Sequence, residues 1–221
     1  MKTTVSQLIV NVKAHKEEAK FCRDEGNYDD AVVELTQAIE LIDSYDWEDS
    51  MAEDKQAIAW HLADCLGMLG GNLRRLNRLE EAAEAFERGG KYESAMQLNT
   101  SYNLVNVIAV RIESGARGMT EQRPELTRAV TALERQVRGE RRMDRWAWAD
   151  LGQCRLLSGD LPGADEAYSR FLELGDAEAV KSAVAVLGRL RDSLKQEDNA
   201  IGLLLDKGIE LLTGTGHHHS A

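Results

Sequence analysis

Proline and aromatic residues are scarce in this chain of 221 residues. Only two prolines occur, and Phe, Trp and Tyr together make up 5% of the sequence. Because proline interrupts helices, so low a content permits long helices. The abundant Ala, Leu, Glu and Arg favour them. No alternation of apolar and polar residues with a period of two persists anywhere, which argues against β-strands. The composition therefore predicts an almost entirely α-helical protein.

The chain also lacks long apolar runs and the cysteine pattern of a disulfide framework. No stretch approaches the roughly 18 apolar residues that a membrane-spanning helix needs. The opening residues, MKTTVSQLIVNVKAHKEE, lack the apolar core and the cleavage site of a secretory signal. Three cysteines, Cys22, Cys65 and Cys154, lie far apart and are odd in number, which is typical of buried, reduced thiols. We therefore expect a cytoplasmic protein without a membrane partner.

Acidic charge dominates, but it is unevenly distributed. The net charge of the chain is −11, with −8 in residues 1–60, +2 in residues 61–145 and −5 in residues 146–221. Affinity for nucleic acids comes mainly from the neutralisation of phosphates, so an acidic chain is a poor general binder of them. The basic middle segment is either a binding site or a solvated surface.

One spacing of small residues recurs three times. Gly152 precedes Ala164 by twelve residues, and Tyr168 follows four residues later. The same spacing relates Gly70, Ala82 and Phe86, and again Ala19, Ala31 and Leu35. A loop signal separates the two halves each time, at Gly26-Asn27, Asn77 and Gly159-Asp160. Small side chains let two helices approach to about 8 Å, so the pattern predicts paired helices with the alanines packed against the glycines.

This pattern resembles the tetratricopeptide repeat, whose signature is W-x2-L-G-x2-Y followed by A-x3-F. The resemblance covers about residues 10–175, and Trp148, Leu151, Gly152, Ala164 and Tyr168 carry it most clearly. It implies an all-α fold, an α-solenoid in which antiparallel helical hairpins stack into a right-handed superhelix. The first copy has a polar outer face, as a terminal repeat needs.

The resemblance also implies a division of the chain. A single repeat domain would span residues 1–196, with hairpins at about 5–44, 54–90, 93–140 and 143–175 and a further helix at 176–195. The third hairpin is degenerate: a long loop, GARGMTEQR, precedes a helix with Pro124 in its first turn. A C-terminal helix at 197–213 would serve as a cap or as a dimer contact. The tail 214–221, GTGHHHSA, is either native or the remainder of an affinity tag, and its histidines could chelate metal weakly without implying a function.

In tetratricopeptide proteins, the first helix of each hairpin lines a concave groove that holds a peptide or a partner helix. The matched positions in this chain are Lys13, Lys16, Lys20, Arg23, Asp64, Met68, Gly71, Arg75, Tyr102, Asn103, Asn106, Trp146, Asp150 and Gln153. The basic N-terminal end of this groove predicts an acidic ligand. Tyr102, Asn103 and Asn106 would bond its backbone, or the two asparagines cap turns or bond neighbouring helices. Trp60 is expected in the core, whereas Trp146 fits the core and the groove equally well.

We therefore expect a non-catalytic scaffold or sensor that binds a protein or peptide segment, within a bacterial signalling or defence assembly. An alternative is a nucleic-acid-associated adaptor that uses the arginines of the middle segment, namely Arg135, Arg138, Arg141, Arg142 and Arg145. An enzyme is the least favoured class. His61 and Cys65 share a helix face as a thiolate–imidazole pair or two metal ligands would, but a buried cysteine beside a boundary histidine is the favoured interpretation. No phosphate loop, GxSxG, HExxH or CxxC occurs, so no cofactor or metal is expected.

Overall fold

The computed structural model describes residues 4–47, 50–116, 118–194 and 199–214. Over these residues it contains ten α-helices and no β-strand, which confirms the predicted all-α fold. The helices are α1 (Val5–Asp24), α2 (Tyr28–Asp43), α3 (Ala52–Arg75), α4 (Leu79–Ala95), α5 (Tyr102–Glu113), α6 (Met119–Arg138), α7 (Arg145–Leu157), α8 (Leu161–Leu174), α9 (Ala177–Leu194) and α10 (Asn199–Thr213). No helix in these ranges is long and apolar enough to cross a bilayer.

The chain forms two compact units. Unit 1 comprises Met1–Leu98 and Tyr102–Val110, and unit 2 comprises Asn99–Ser101 and Arg111–Ala221. In unit 1, α1 pairs with α2 and α3 pairs with α4, while α3 also packs against α1 and α2. In unit 2, α7 pairs with α8, and α6 packs against α7. Three of the predicted hairpins, α1 with α2, α3 with α4 and α7 with α8, are therefore present as paired helices. The third hairpin, at 93–140, and a single domain over residues 1–196 stay predictions.

The loop signals of the sequence lie in tight turns. Gly26, Asn77 and Gly159 adopt positive φ angles of 82°, 58° and 85°. Glycine reaches this left-handed region without strain, and asparagine reaches it more readily than other residues. Each of these residues ends the first helix of a hairpin at the predicted point.

The glycines of the repeat make room for aromatic rings. A Cβ atom built on Gly152 would lie 2.5 Å from Cε1 of Tyr168, and one built on Gly70 would lie 2.8 Å from Cε1 of Phe86. The rings of Tyr168 and Phe86 are therefore the nearest neighbours of these glycines, each inside its own hairpin. Ala82 and Ala164, the alanines predicted to contact the glycines, are fully buried.

We expect Ala164→Leu to destabilise the protein by about 1–3 kcal/mol, because a buried, close-packed site has no room for three additional carbon atoms. Ala164 is 0% exposed. The matched control is Ala185→Leu on α9, where the alanine is exposed. Urea unfolding followed by circular dichroism measures both variants. Equal losses from the two would contradict the packing described for α7 and α8.

Helix α6 begins earlier than the sequence indicates. It starts at Met119, so Pro124 lies inside the helix instead of in its first turn, and the predicted long loop is shorter. The proline removes one backbone hydrogen bond, which is unfavourable in isolation. Gln122 and Leu126 are buried on either side of it, at 0% and 2% exposure. Burial of this turn therefore stabilises the helix across the proline.

Helix α10 packs against α7, α8 and α9. A Cβ atom on Gly208 would lie 3.2 Å from Cδ1 of Leu187 and closer still to Leu156, so this glycine permits the close approach. Leu205 and Leu212 of the same helix are buried. This packing favours the role of a cap, and a dimer contact through the C-terminal helices stays a prediction.

Candidate functional site

Lys16 holds α1 to α3. Its side chain is 7% exposed, and its Nζ forms an ion pair with Asp64. The same ammonium group lies 4.9 Å from the ring centroid of Trp60. The prediction that Lys16 offers a free charge to a ligand is therefore wrong, because the carboxylate and the ring already surround it.

Two other predicted groove cations also have partners on their own helix. Lys20 Nζ lies 2.6 Å from Glu17 Oε1, and Arg23 Nη2 lies 2.8 Å from Asp24 Oδ1. Lys13 is exposed and forms no ion pair with any residue that the structure describes. Among the four predicted cations of α1, Lys13 is thus the one that has no carboxylate partner within the described residues.

Arg75 lies at the end of α3 in a fixed conformation. Its Nη1 donates a hydrogen bond of 3.0 Å to the carbonyl oxygen of Gly71. The centre of its guanidinium lies 5.7 Å from the ring centroid of Tyr28, at a cation–π distance. The side chain is therefore oriented without being neutralised by an ion pair inside the described part of the chain.

Asn103 has a structural role, which corrects its prediction as a ligand-binding residue. It is 1% exposed. Its Nδ2 donates to the carbonyl oxygen of Ala63 and to Glu93 Oε1, both at 2.9 Å. Its side chain also lies against the backbone of Gly89, where a Cβ atom would collide with it. Of the two roles that the sequence left open, the bond to neighbouring helices is the one present.

Glu93 binds the start of α5, a role that the sequence did not indicate. It is 5% exposed, and its carboxylate accepts hydrogen bonds from the backbone nitrogens of Asn103, at 3.0 Å, and of Leu104, at 3.3 Å. A carboxylate at a helix N-terminus binds the unpaired amides of the first turn. In the sequence, the Gly89-Gly90 pair was the one signal of this contact, because these two glycines let the start of α5 approach α4 closely.

Tyr102 and Asn106 remain accessible on α5. Tyr102 is 44% exposed, and its ring lies 6.1 Å from that of Phe86. The Nδ2 of Asn106 donates to the carbonyl oxygen of Tyr102 at 2.9 Å, and its Oδ1 accepts from Arg74 at 3.4 Å. Both side chains are therefore positioned by unit 1 itself and still face solvent.

Trp60 is an exposed residue, and its expected place in the core is wrong. It is 47% exposed, and its ring meets that of His61 edge-on at 4.9 Å between centroids. On the accessible surface it shares α3 with Arg75 and the half-buried Met68, and Tyr102 of α5 lies against Gly67 and Gly71 of the same helix. We call this surface the α1–α3–α5 face; it comprises Lys13, Trp60, Met68, Arg75, Tyr102 and Asn106.

The remaining predicted groove residues lie on α7 in unit 2. Trp146 is 42% exposed, and its ring lies 6.2 Å from that of Phe171. Asp150 is half-buried. Gln153 is 7% exposed, so little of it could reach a ligand. The participation of Trp146 and Asp150 in a groove stays a prediction.

His61 and Cys65 do not form an activated pair. Burial lowers the pKa of His61 to about 4, with a further contribution from the charges of Lys16 and Lys13. Burial raises the pKa of Cys65 to about 12. A nucleophilic cysteine requires the opposite shift, toward the thiolate. No group of three or more His, Cys, Asp or Glu side chains suited to a metal ion occurs within the described ranges.

No protein-family model matches the chain, and no curated protein sequence matches it. The chain is similar to helical-repeat proteins of known structure. A putative kinesin light chain with nearly identical TPR-like repeats, from Podosopora anserina, is 14% identical with a TM-score of 0.47, over 94% of this chain and 97% of that one. BtubC from P. vanneervenii is 13% identical with a TM-score of 0.46, over 98% and 92% of the two chains. MamA from Desulfovibrio magneticus RS-1 is 16% identical with a TM-score of 0.42, over 93% and 97%.

Proposed function

We propose that this protein is a non-catalytic interaction scaffold or sensor that binds a peptide or protein segment on the α1–α3–α5 face. The observation that carries the proposal is the pair of aromatic residues on this face, Trp60 and Tyr102, which are 47% and 44% exposed. Tryptophan, tyrosine and arginine are the residues that most often dominate the energy of protein interfaces. Exposed rings at these positions contribute little to the core, so their place on one face favours contact with a partner.

The face is organised before a ligand arrives. Lys16 and His61 hold the ring of Trp60, Phe86 packs against Tyr102, and Gly71 and Tyr28 hold Arg75. Side chains that are already ordered lose less conformational entropy on binding, which strengthens an interface of a given area. The amide of Asn106 adds donor and acceptor capacity for the backbone of an extended segment.

The charge of the face favours an acidic ligand. Lys13 and Arg75 have no carboxylate partner among the residues that the structure describes, whereas Asp64, the acidic group nearby, is paired with Lys16. The face thus offers uncompensated positive charge on a chain whose net charge is −11. Such complementarity accelerates the association of an acidic segment and orients it.

The wider setting belongs to the same proposal: a bacterial signalling or defence assembly in the cytoplasm. Purification of the intact protein from its native host, followed by identification of the proteins that accompany it, tests this setting. Partners from a single assembly would support it, and partners of unrelated function would exclude it.

The binding face is tested by peptides selected from a random 12-residue display library against the full chain. We expect the selected peptides to be acidic, and a synthetic consensus peptide to bind roughly tenfold more weakly to Trp60→Ala and to Lys13→Glu/Arg75→Glu. The control is Lys181→Glu/Arg123→Glu, which makes the same change of charge at two exposed sites.

Circular dichroism and thermal unfolding establish that each variant retains its helices. Unchanged affinity in both face variants, for every selected peptide family, would show that the α1–α3–α5 face is not the binding surface. An equal loss in the control pair would show that only the overall charge matters.

A further inference from the structure

Helix α3 contains three glycines close together, Gly67, Gly70 and Gly71. Glycine is unfavourable in the interior of a helix, because its backbone loses more conformational freedom on folding than that of any other residue. None of the three adopts a positive φ angle, so the backbone of α3 does not require glycine at these positions. What lies against each glycine must therefore explain it, and for Gly70 that is the ring of Phe86.

The ring of Tyr102 occupies the space that a side chain at position 67 would need. A Cβ atom built on Gly67 would lie 2.9 Å from Cδ1 and 3.0 Å from Cε1 of this ring, whereas carbon atoms in contact prefer about 3.5–4.0 Å. The same Cβ atom would lie 3.2 Å from Oδ1 of Asn103, whose amide is fixed by Ala63 and Glu93. Tyr102 is 44% exposed, so its ring is the neighbour that can move.

Gly71, one turn further along α3, leaves room for a methyl group. A Cβ atom built on it would lie 3.6 Å from Nη1 of Arg75 and 3.8 Å from the hydroxyl oxygen of Tyr102, which are ordinary van der Waals distances. Gly67 and Gly71 thus lie against the same tyrosine, but at different separations. An alanine at position 67 would displace the ring of Tyr102, whereas an alanine at position 71 would leave it in place.

Buried groups hold Tyr102 from other directions. The ring of Phe86, which is 0% exposed, lies 6.1 Å from the ring of Tyr102 at an angle of 67° between their planes. The backbone at the start of α5 is fixed as well, because the amide nitrogen of Asn103 donates to Glu93 at 3.0 Å. With the backbone and Phe86 in fixed places, the lack of a side chain at Gly67 allows the orientation that the ring adopts.

We propose that Gly67 is a positioning residue of the α1–α3–α5 face: it lets the ring of Tyr102 lie against α3 in the orientation that contacts a bound segment. This inference rests on the function proposed above. A methyl group at position 67 would move the ring away from α3 and into the space of the segment. The affinity for the segment would then fall, although alanine favours the helix itself more than glycine does. Gly67 acts through Tyr102 and does not itself need to touch the ligand.

The experiment compares Gly67→Ala with Gly71→Ala in the full chain, using the consensus peptide selected on the wild type. We expect the peptide to bind about tenfold more weakly to Gly67→Ala, and to Gly71→Ala within about twofold of the wild type. The melting temperature of Gly71→Ala should rise by about 2–4 °C, since the methyl group fits and alanine favours a helix. In a Tyr102→Ala background, Gly67→Ala should change the affinity by less than about twofold, because the ring through which it acts is gone.

A second measurement reports the ring without any ligand. The protein is labelled with fluorotyrosine, and the fluorine NMR resonance of Tyr102 is assigned by its loss in Tyr102→Phe. We expect this resonance to shift in Gly67→Ala and to stay in place in Gly71→Ala. Circular dichroism establishes that each variant retains its helices.

Several results would overturn the proposal. One is an unmoved Tyr102 resonance in Gly67→Ala, and another is a loss of helical signal in that variant, which would make Gly67 a residue needed for folding. A third is an equal loss of affinity from Gly67→Ala with and without the ring of Tyr102. Unchanged affinity in Gly67→Ala, while Trp60→Ala weakens binding, would refute this role alone. Unchanged affinity in Trp60→Ala and in Lys13→Glu/Arg75→Glu would instead refute the binding face, and the role of Gly67 with it.

Discussion

Glu93→Ala is expected to destabilise unit 1 by about 3–5 kcal/mol, since it removes the acceptor of several hydrogen bonds at once. The backbone nitrogen and the Nδ2 of Asn103 both bond this carboxylate, and the backbone nitrogen of Leu104 lies 3.3 Å from it. Asn103 is 1% exposed, so water cannot replace the lost acceptor without opening the structure. A buried donor left without a partner costs more than the bond contributed when it was made.

Urea unfolding at neutral pH measures this loss, and two variants serve as references. Glu93→Gln keeps the shape and one acceptor oxygen, so its loss should be clearly smaller than that of Glu93→Ala. Glu87→Ala, on the same helix, removes an exposed carboxylate that lies 3.3 Å from Lys91, and such surface pairs contribute less than about 1 kcal/mol. Similar losses for Glu93→Ala and Glu87→Ala would refute the role assigned to Glu93.

Acidification is expected to destabilise the wild-type protein through His61. The pKa of this residue is about 4 in the folded protein, because it is buried and because Lys16 and Lys13 lie near it. In the unfolded chain a histidine titrates near pH 6.5. The unfolded chain therefore binds the proton more readily between these values, and the free energy of unfolding falls as the pH is lowered through this range. A difference of about 2.5 pKa units corresponds to about 3 kcal/mol.

The comparison with His61→Leu isolates this contribution from the carboxylates, which also titrate at low pH. We expect the stability of the variant relative to the wild type to rise by about 3 kcal/mol between pH 7 and pH 4, and to stay constant between pH 7 and pH 8. Urea unfolding at each pH provides the values. Parallel stability curves for the two proteins down to pH 4 would mean that His61 is protonated as easily in the folded state as in the unfolded one.

The helices and their turns could be predicted from the sequence because their signals are local. Gly26, Asn77 and Gly159 are residues that tolerate positive φ angles, and each lies where a turn requires one. The small residues at a spacing of twelve likewise predict the paired helices. Such features depend on a few neighbouring residues, so no knowledge of distant contacts is needed.

The candidate site was less predictable because burial depends on residues far away in the chain. Nothing near Asn103 indicates that the carbonyl group of Ala63, forty residues earlier, accepts its hydrogen bond. Lys16 was identified as a surface charge because lysine is rarely buried without a partner, but Asp64 is that partner. The early start of α6 has the same origin, since burial of Gln122 and Leu126 outweighs the local effect of Pro124.

The buried cysteines can report the local opening of each unit separately. Cys65 in unit 1 and Cys154 in unit 2 are both 0% exposed, and burial raises the pKa of both thiols. Alkylating reagents attack the thiolate, so each sulfur must first be uncovered by a local opening of its unit. With the partly exposed Cys22 replaced by serine, one protected thiol remains in each half of the molecule. The alkylation rates of these two sulfurs then measure, within one sample, how often each unit opens on its own.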